Sequence, residues 1–388
     1  MNIKLLIVDN QVTEANYLKA ILEKAGYFVS FVAYTVPAAL SIISNEDALL
    51  VLLDLGIEQL GWGQKLVAVL AKKRIPFVYL VTNIDVFALN TAKQNNAYGI
   101  LVKPYLKKDV SVMMEIAFVA YQQKRLSPTF TSVKPEIVGI ISKSKAFLAA
   151  LEKAKLAAQS DIPVLIYGES GTGKEMIARA IHALSIRNTG PLIVINCAAF
   201  SPAVIESEMY GYDCNPFSGA PEQRIGKLEQ ANGGTILLDG ITELPVTFQA
   251  KFVQNLLNHN IKPLGSKKRR INVRVIATTS HLPEDDVARG HLRVDLYYYL
   301  NMAAITLPLL KECKEDIPLL ASHFVSVFAG KINKHIIGLS DEALMALKNH
   351  SWPGNIRELK NLMERCVLLT NGNVITSVFL SPDKDKEH

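Results

Sequence analysis

The sequence lacks the patterns that identify disulfide-rich, zinc-binding and membrane-spanning proteins. Its four cysteines are far apart and form no C-x-x-C pair, which excludes zinc and redox motifs of that spacing and favours small buried side chains. No apolar run approaches the ~20 residues that cross a bilayer, and the chain opens on a short strand-like segment without a signal-type apolar region. We therefore expect a cytoplasmic protein that makes no membrane contact.

A strong excess of charge of one sign is also missing. Lysine and arginine number 42 against 36 aspartates and glutamates, and the net charge of +6 permits contact with nucleic acid without demanding it. A length of 388 residues exceeds what a single hydrophobic core usually supports, and the 49% of hydrophobic residues can fill more than one. These values predict a globular protein of two domains.

Short apolar runs alternate with amphipathic stretches through residues 1–123, as is typical of a parallel α/β domain. The strand-like runs are 3–8, 48–53, 77–82 and 99–102, and the last helix is predicted over 113–124. Residues 124–136 contain two prolines among serines and threonines, so this segment is interpreted as a linker.

A second α/β pattern follows the linker and covers residues 137–305. A smaller helical part is predicted over 306–380, and a charged tail follows at 381–388. Its helices are expected at 319–329, 341–349 and 355–369, the last after a Pro-Gly turn.

A glycine-rich segment with the spacing G-x-x-x-x-G-K lies between a predicted strand at 163–167 and a predicted helix at 176–181. A P-loop requires this order, because its backbone N–H groups face the phosphates, its lysine meets the β and γ oxygens, and the helix N-terminus receives them. The sequence therefore predicts an ATP site. The expected binding residues of the loop are Gly168, Glu169, Ser170, Gly171, Thr172, Gly173, Lys174 and Glu175.

Polar side chains end the predicted strands of the first domain: Asp9, Asp54, Thr82 and Lys103. The carboxyl ends of parallel strands meet in one crevice, where the two carboxylates could bind Mg²⁺. This constellation resembles the flavodoxin-like receiver domain of bacterial response regulators. The resemblance implies that a sensor kinase phosphorylates Asp54 and that Thr82 and Lys103 sense the phosphoryl group. Asn10 replaces one acid of the family's pair, so a receiver fold retained only for dimerisation stays open.

From residue 137 to 380 the sequence resembles the AAA+ domain of sigma-54-dependent transcription activators, the NtrC family. Beyond the P-loop, the segments that carry the resemblance are 194–197, 206–211, 228–235, 293–298, 315–320 and 352–359. The resemblance implies an α/β subdomain with a small helical lid, binding of ATP with Mg²⁺, and homo-dimers or rings. It assigns Asp239 to the Mg²⁺ of ATP, Arg357 to nucleotide sensing from the lid, and Arg293 to an arginine that acts across a subunit interface.

Several residues on which hydrolysis depends in that family are replaced. The family's Walker B motif ends in Asp-Glu, and here Gly240 stands where the glutamate polarises the attacking water. General-base assistance is worth roughly two to four orders of magnitude, so we expect hydrolysis near background. Tyr299 replaces a second arginine, Ser280 replaces the sensor asparagine, and Asn196 resembles a switch residue that has lost its partner. Glu243 lies nearby but has its own counterpart in the family.

The loop that contacts sigma-54 in the family has the sequence GAFTGA and reads NPFSGA at 215–220. Pro216 fixes φ and removes an N–H, and the loss of the first glycine stiffens the loop further. We therefore expect that ATP-driven activation of the sigma-54 polymerase is lost. Family members usually end in a helix-turn-helix domain. No second helix pair follows residue 382, so DNA contact is expected only if such a domain belongs to the natural protein.

Three functions stay open. The leading hypothesis is a two-component transcription regulator that holds ATP with little or no hydrolysis and uses the bound nucleotide as an assembly signal, with RNA polymerase as a candidate partner. Divergent relatives of the FleQ and VpsR type bind cyclic di-GMP, and Arg187 with Asn188 could meet such a ligand. The alternatives are a slow but active ATPase that drives sigma-54 promoter opening, and an interaction-only protein that antagonises an intact relative.

Overall fold

The computed structural model describes residues 4–46, 49–59, 63–125, 140–212, 224–263, 265 and 267–378. Two five-stranded parallel sheets organise them, one in each α/β domain. The predicted tail, the predicted sigma-54 loop at 215–220 and residues 126–136 of the predicted linker lie outside the described residues, whereas residues 124 and 125 of that linker belong to a helix.

The first sheet has the strand order β2-β1-β3-β4-β5, the flavodoxin-like order that the resemblance implies. Its elements are β1 (Lys4–Val8), α1 (Val12–Lys24), β2 (Val29–Ala33), α2 (Val36–Asn45), β3 (Leu49–Asp54), α3 (Leu55–Gln59), α4 (Gly63–Lys73), β4 (Phe77–Val81), α5 (Val86–Gln94), β5 (Gly99–Val102) and α6 (Lys107–Arg125). Helices cover both faces of a parallel sheet, so its central strands are continuous apolar runs, and every residue of β4 is buried.

Two elements of this domain differ from the sequence-based expectation. The strand β2 was not predicted, because it lies at the sheet edge and only its first and last residues are fully buried. Its sequence VSFVA therefore lacks the continuous apolar character of the central strands. Helix α6 begins at Lys107 rather than at 113, because its first turn is polar and shows little apolar periodicity.

The second sheet has the order β14-β6-β13-β10-β7. The elements of its domain are α7 (Lys145–Ala158), β6 (Val164–Tyr167), α8 (Lys174–Ala183), β7 (Leu192–Asn196), α9 (Ile205–Tyr210), β8 (Gly211–Tyr212), β9 (Arg224–Ile225), α10 (Lys227–Gln230), β10 (Thr235–Asp239), α11 (Val246–Leu257), β11 (Asn260–Ile261), β12 (Arg269–Arg270), β13 (Arg274–Thr279), α12 (Pro283–Ala288), α13 (Val294–Leu300) and β14 (Ala303–Thr306). Strand β6 pairs with both β13 and β14, so the loop after β6 leaves the sheet's carboxyl edge between two neighbouring strands.

A small helical subdomain completes the described chain. It contains α14 (Ile317–Lys331), β15 (Gly338–Leu339), α15 (Asp341–Asn349), α16 (Asn355–Leu369) and β16 (Val374–Ile375). All three predicted helices are present, and two have the predicted bounds because their start signals are local. The Ser340 hydroxyl caps α15, and the Pro-Gly turn precedes α16.

The two α/β domains pack against each other through helices. In the first domain α5, β5 and α6 form the contact surface, and they meet α11, α12 and α13 of the second domain. Buried apolar side chains form one continuous set from the first core into α11 and α13. Within the described ranges, no helix combines the length and the apolar character needed to cross a bilayer.

Candidate nucleotide and phosphoacceptor sites

The P-loop lysine is fixed by three oxygen atoms of its own chain. Lys174 opens α8, and its Nζ donates to Gly168 O at 2.6 Å, to Glu169 O at 3.1 Å and to Ser280 Oγ at 2.9 Å. Burial lowers the pKa of Lys174, the charge of Asp239 opposes that change, and the positive charge of Arg357 adds to it. An anion such as a triphosphate would counter the cost of burying this ammonium group.

The glycines of the loop have the backbone conformation that a phosphate cradle requires. Gly171 has φ +82° and Gly173 has φ +96°, a region that favours glycine. Thr172 Oγ1 donates to Glu169 O at 2.8 Å and holds the turn closed. Glu175, in contrast, forms an exposed ion pair with Arg179.

The Walker B aspartate is held in place from the neighbouring strand. Asp239 ends β10, and its Oδ1 accepts a hydrogen bond from Thr278 Oγ1 of β13 at 2.5 Å. Thr278 Oγ1 in turn accepts from the N–H of Gly240 at 3.1 Å. Asp239 is the residue that would hold Mg²⁺ beside a nucleotide.

The position of the missing glutamate has a backbone that disfavours any side chain. Gly240 has φ +76°, in the left-handed region, and a Cβ added there would lie 3.4 Å from Glu243 Cγ. A residue other than glycine would be strained in this conformation. Glu243 itself is exposed.

The lid closes directly over the P-loop. Arg357 Nη1 donates to Ser170 Oγ at 2.9 Å, and Ile356 N donates to Gly171 O at 3.0 Å. A pocket of about 100 Å³ lies beside this contact. Most of its lining is apolar, as a nucleotide base requires, and Thr172 of the loop also lines it. Its apolar lining includes Ile141, Phe147, Met176, Pro308, Leu310, Leu320, Phe324 and Ile356.

Arg293, the residue predicted to act across a subunit interface, does not line this pocket, and neither do Tyr299 and Asn196. Arg293 caps α13, where Nε and Nη2 donate to Asp295 at 3.1 and 3.0 Å, and these hydrogen bonds raise its pKa. Its Nη2 also lies 3.6 Å from Asp109 Oδ1 of the first domain. Tyr299 is buried in the same helix, and Asn196 is exposed, with Oδ1 accepting from Ala198 N.

Arg187, the residue considered for cyclic di-GMP, is bound within its own domain. Its guanidinium donates to both carboxylate oxygens of Asp161 at 2.8 Å and to Asn272 Oδ1 at 2.6 Å. This pairing lowers the pKa of Asp161. A cyclic dinucleotide would have to displace these contacts.

The first domain brings three of its four predicted site residues together. Lys103 Nζ donates to Asp9 Oδ2 at 2.9 Å and to Asp54 Oδ2 at 2.6 Å. Burial by itself lowers the pKa of Lys103, but the hydrogen bonds to Asp54 and Asp9 outweigh it, so the pKa lies above its ordinary value. Thr82 follows β4 at the same edge and is exposed, and its side chain takes no part in these hydrogen bonds.

The carboxylates of this pocket suit a hard cation. Asp9 is fully buried and Asp54 is nearly so, and both present oxygen atoms, which Mg²⁺ prefers. Gln11 N donates to Asp9 Oδ1, and Gly56 N donates to Asp54 Oδ1 at 2.6 Å. Asp9 and Asp54 would hold Mg²⁺. Because Asn10 replaces the second acid of the family's pair, the pocket offers the ion one negative charge fewer than the family's three acids do.

Comparison with known proteins assigns the family. Residues 5–115 match the response regulator receiver domain, residues 140–306 match the sigma-54 interaction domain, and residues 311–388 match the AAA+ ATPase lid domain. The transcriptional regulatory protein ZraR of Salmonella typhimurium is 35% identical over 96% of this chain and 85% of its own. GlrR of Escherichia coli is 35% identical over 99% of this chain and 85% of its own. The chain belongs to the sigma-54 activator family of response regulators.

Solved structures of this family have the same architecture. NtrX from Brucella abortus is 27% identical, with a TM-score of 0.58 over 99% of this chain and 87% of its own. NtrX in complex with ATP is 28% identical, with a TM-score of 0.57 over 97% of this chain and 83% of its own. The chain is therefore a receiver domain followed by a sigma-54 AAA+ domain with its lid, as the sequence predicted.

The sequence did not reveal two residues whose partners are distant along the chain, or a third whose buried hydroxyl lies near the receiver pocket. Thr278 and Asn355 hold Asp239 and the P-loop, and Tyr105 has a buried hydroxyl without a hydrogen-bond partner among the described residues. Burial, with the charges of Asp9 and Asp54, raises the pKa of Tyr105. The only sequence signal was proximity to a motif, since Tyr105 follows Lys103-Pro104 and Asn355 precedes Arg357 by two residues.

Reinstating the family glutamate should not restore hydrolysis by itself. Because residue 240 is left-handed, we expect Gly240→Glu to lower the free energy of unfolding by about 1–2 kcal/mol and to leave phosphate release near background. Gly26→Glu is the matched control, since Gly26 has φ +93° with open space around it and lies in the receiver domain. Turnover in Gly240→Glu well above that of Gly26→Glu would show that the backbone relaxes and the site is otherwise complete.

Asp54 should be the phosphoacceptor. Asp54→Asn removes the carboxylate that Lys103 contacts, and we expect it to abolish labelling by acetyl phosphate with Mg²⁺. Asp85→Asn is the control, because Asp85 caps α5 near the same sheet edge through Oδ1, an acceptor that asparagine retains. Undiminished labelling of Asp54→Asn would refute the assignment.

Proposed function

We propose that this response regulator binds ATP with Mg²⁺, hydrolyses it poorly or not at all, and uses the bound nucleotide to control its assembly. One observation carries the proposal: a P-loop, a Walker B aspartate and a closed lid arginine surround a position, Gly240, that has neither a carboxylate nor the backbone for one. Binding needs the first three, and hydrolysis needs the fourth. The NtrX structures with ADP and with ATP support nucleotide binding by the shared fold.

An active ATPase is the second candidate, and one observation favours it. Glu243 Cγ lies 3.4 Å from where a Cβ of residue 240 would be, so this side chain starts close to the missing one. A carboxylate three residues downstream would then prepare the water in place of the Walker B glutamate. Both candidate functions predict ATP binding, and they differ in the rate of ATP hydrolysis.

ATP binding without turnover is the expected result for the unmodified protein. We expect Lys174→Ala to weaken ATP binding at least about tenfold, because it removes the cation that faces the phosphates. Lys153→Ala, an exposed change on α7, should leave binding unchanged. Calorimetric titration gives the affinity, and phosphate release gives the turnover.

The same assay separates the alternatives. A turnover of about 1–10 s⁻¹ that both Lys174→Ala and Glu243→Gln abolish would establish the enzyme. Equal, negligible ATP binding by the unmodified protein and Lys174→Ala would leave an interaction-only protein. A calorimetric titration with cyclic di-GMP tests whether the protein binds this alternative nucleotide.

Remodelling of sigma-54 is not part of the proposed function. It would need a hydrolysis cycle and a mobile contact loop, and Pro216 restricts that loop by fixing φ. A regulator that oligomerises on binding ATP would instead act by binding RNA polymerase or an intact relative. A sensor kinase would control whether Asp54 is phosphorylated.

Receiver docking supplies the regulation in this proposal. The contact surface of α5, β5 and α6 covers α11–α13, the part of the AAA+ domain that carries Arg293. Lys93 on α5 pairs with Glu284 on α12, and Asp109 on α6 faces Arg293. While the receiver occupies this surface, Arg293 cannot reach a nucleotide on a neighbouring subunit.

Loosening the docked receiver should promote assembly. Lys93→Glu places a negative charge against Glu284, which is 5% exposed, so we expect ATP-dependent oligomers at lower protein concentration than in the unmodified chain. Lys72→Glu makes the same charge change on exposed α4 and should have no effect. Mass photometry with and without ATP measures the outcome, and identical mass distributions for both variants and the unmodified protein would contradict receiver docking as the restraint.

A further inference from the structure

Asn355, the first residue of the lid helix α16, is buried where three segments of the AAA+ domain meet. It is 1% exposed and has φ +50°, a left-handed conformation that asparagine tolerates better than most residues. Its N–H donates to Trp352 O, and Trp352 is itself buried, with Nε1 donating to Leu347 O. The turn before α16 is therefore fixed from the lid side.

The side chain of Asn355 joins the P-loop to the start of the lid. Its Oδ1 accepts from Leu310 N at 2.9 Å, where the chain passes from β14 towards α14. Its Nδ2 donates to Ser170 O at 3.2 Å and lies 3.5 Å from Glu169 Oε2. Arg357 also reaches Ser170, but it is exposed and donates to the side-chain hydroxyl rather than to the carbonyl.

The hydrogen bond to Ser170 O acts on a phosphate-facing group. The carbonyl of Ser170 and the N–H of Gly171 belong to one planar trans peptide, so they point in opposite directions. Holding the carbonyl towards the lid therefore directs the Gly171 N–H away from the Asn355 amide. P-loops bind phosphates through such backbone N–H groups.

The backbone of the P-loop already lies against the backbone of the lid, with no room for a side chain at Gly171. A Cβ on Gly171 would lie 2.3 Å from Gly354 O, so the two backbones already touch. Ile356 N donates to Gly171 O and fixes the next peptide, whose N–H on Thr172 donates to Glu169 O within the loop. Two consecutive P-loop carbonyls, those of Ser170 and Gly171, thus accept hydrogen bonds from the lid. The Asn355 amide also contacts Leu310, where the chain enters the lid, a point we call the lid hinge.

We propose that Asn355 is a positioning residue that orients the Gly171 peptide towards the phosphates and ties that peptide to the lid hinge. Phosphate occupancy of the loop and the orientation of the lid then depend on one side chain. The inference rests on the proposed function, since it concerns the same ATP site.

Two variants test the roles of the amide group. Asn355→Asp keeps the acceptor for Leu310 N but replaces the donor to Ser170 O with a charged oxygen that also faces Glu169. Asn355→Gly keeps the left-handed backbone, introduces no buried charge and removes both hydrogen bonds, so it provides the test if the aspartate variant does not fold. Asn333→Asp and Asn333→Gly are matched controls, because Asn333 is an exposed lid asparagine with φ +54°.

The readout is the affinity ratio of ATP to adenosine, measured by calorimetry and ligand-observed NMR. Adenosine carries no phosphates, so a general loss of structure weakens both ligands, whereas a misdirected peptide weakens ATP alone. We expect the ratio to fall about tenfold in both Asn355 variants and to stay unchanged in the Asn333 controls. Amide exchange at Leu310 should stay slow in Asn355→Asp and become fast in Asn355→Gly.

An unchanged ratio in Asn355→Gly, with ATP still bound by the unmodified protein, would overturn the role of Asn355 and leave the proposed function standing. Equal ATP affinity of the unmodified protein and Lys174→Ala would overturn the proposed function instead.

Discussion

The left-handed backbone at residue 240 is the constraint on which the chemistry of the AAA+ site depends. The N–H of Gly240 donates to Thr278, and the same hydroxyl donates to Asp239, so one threonine holds both Asp239 and the turn that follows it. The conformation that keeps Asp239 in place is therefore one that disfavours a side chain at 240. The backbone at the position of the missing glutamate is thus held by the same threonine as Asp239.

The contacts that hold the P-loop lysine do not involve that turn. The P-loop is held from inside by Lys174, whose ammonium reaches two loop carbonyls and Ser280, and from outside by the lid. Ser280 stands where the family has an asparagine, and its hydroxyl is small enough to accept from the lysine directly. On the proposed function, the glycine at 240 leaves this cradle intact because Gly240 donates to Thr278 and not to the P-loop, whereas the serine at 280 is itself part of the cradle.

The sequence was most informative where the signals are local. The order of β6, loop and α8, the capped start of α15 and the Pro-Gly turn before α16 are set by neighbouring residues, and the structure confirms them. The edge strand β2 was missed because burial on one face leaves no continuous apolar run. The Lys174–Ser280 contact joins residues 106 apart, and the Arg293–Asp109 contact joins two domains, so neither could be deduced from spacing.

Docking of the receiver depends on apolar packing more than on its ion pairs. Asp109 is 46% exposed, and ion pairs of that exposure contribute little to stability, so the continuous buried set between the receiver core and α13 must supply most of the stabilisation. The charged contacts fix the register of the two surfaces instead. Lys103 follows β5 directly, and β5 contacts α13, so a phosphoryl group on Asp54 would act on the lysine beside the docked surface. Phosphorylation of Asp54 would change the charge that Lys103 faces, and Lys103 directly follows the strand that contacts the AAA+ domain.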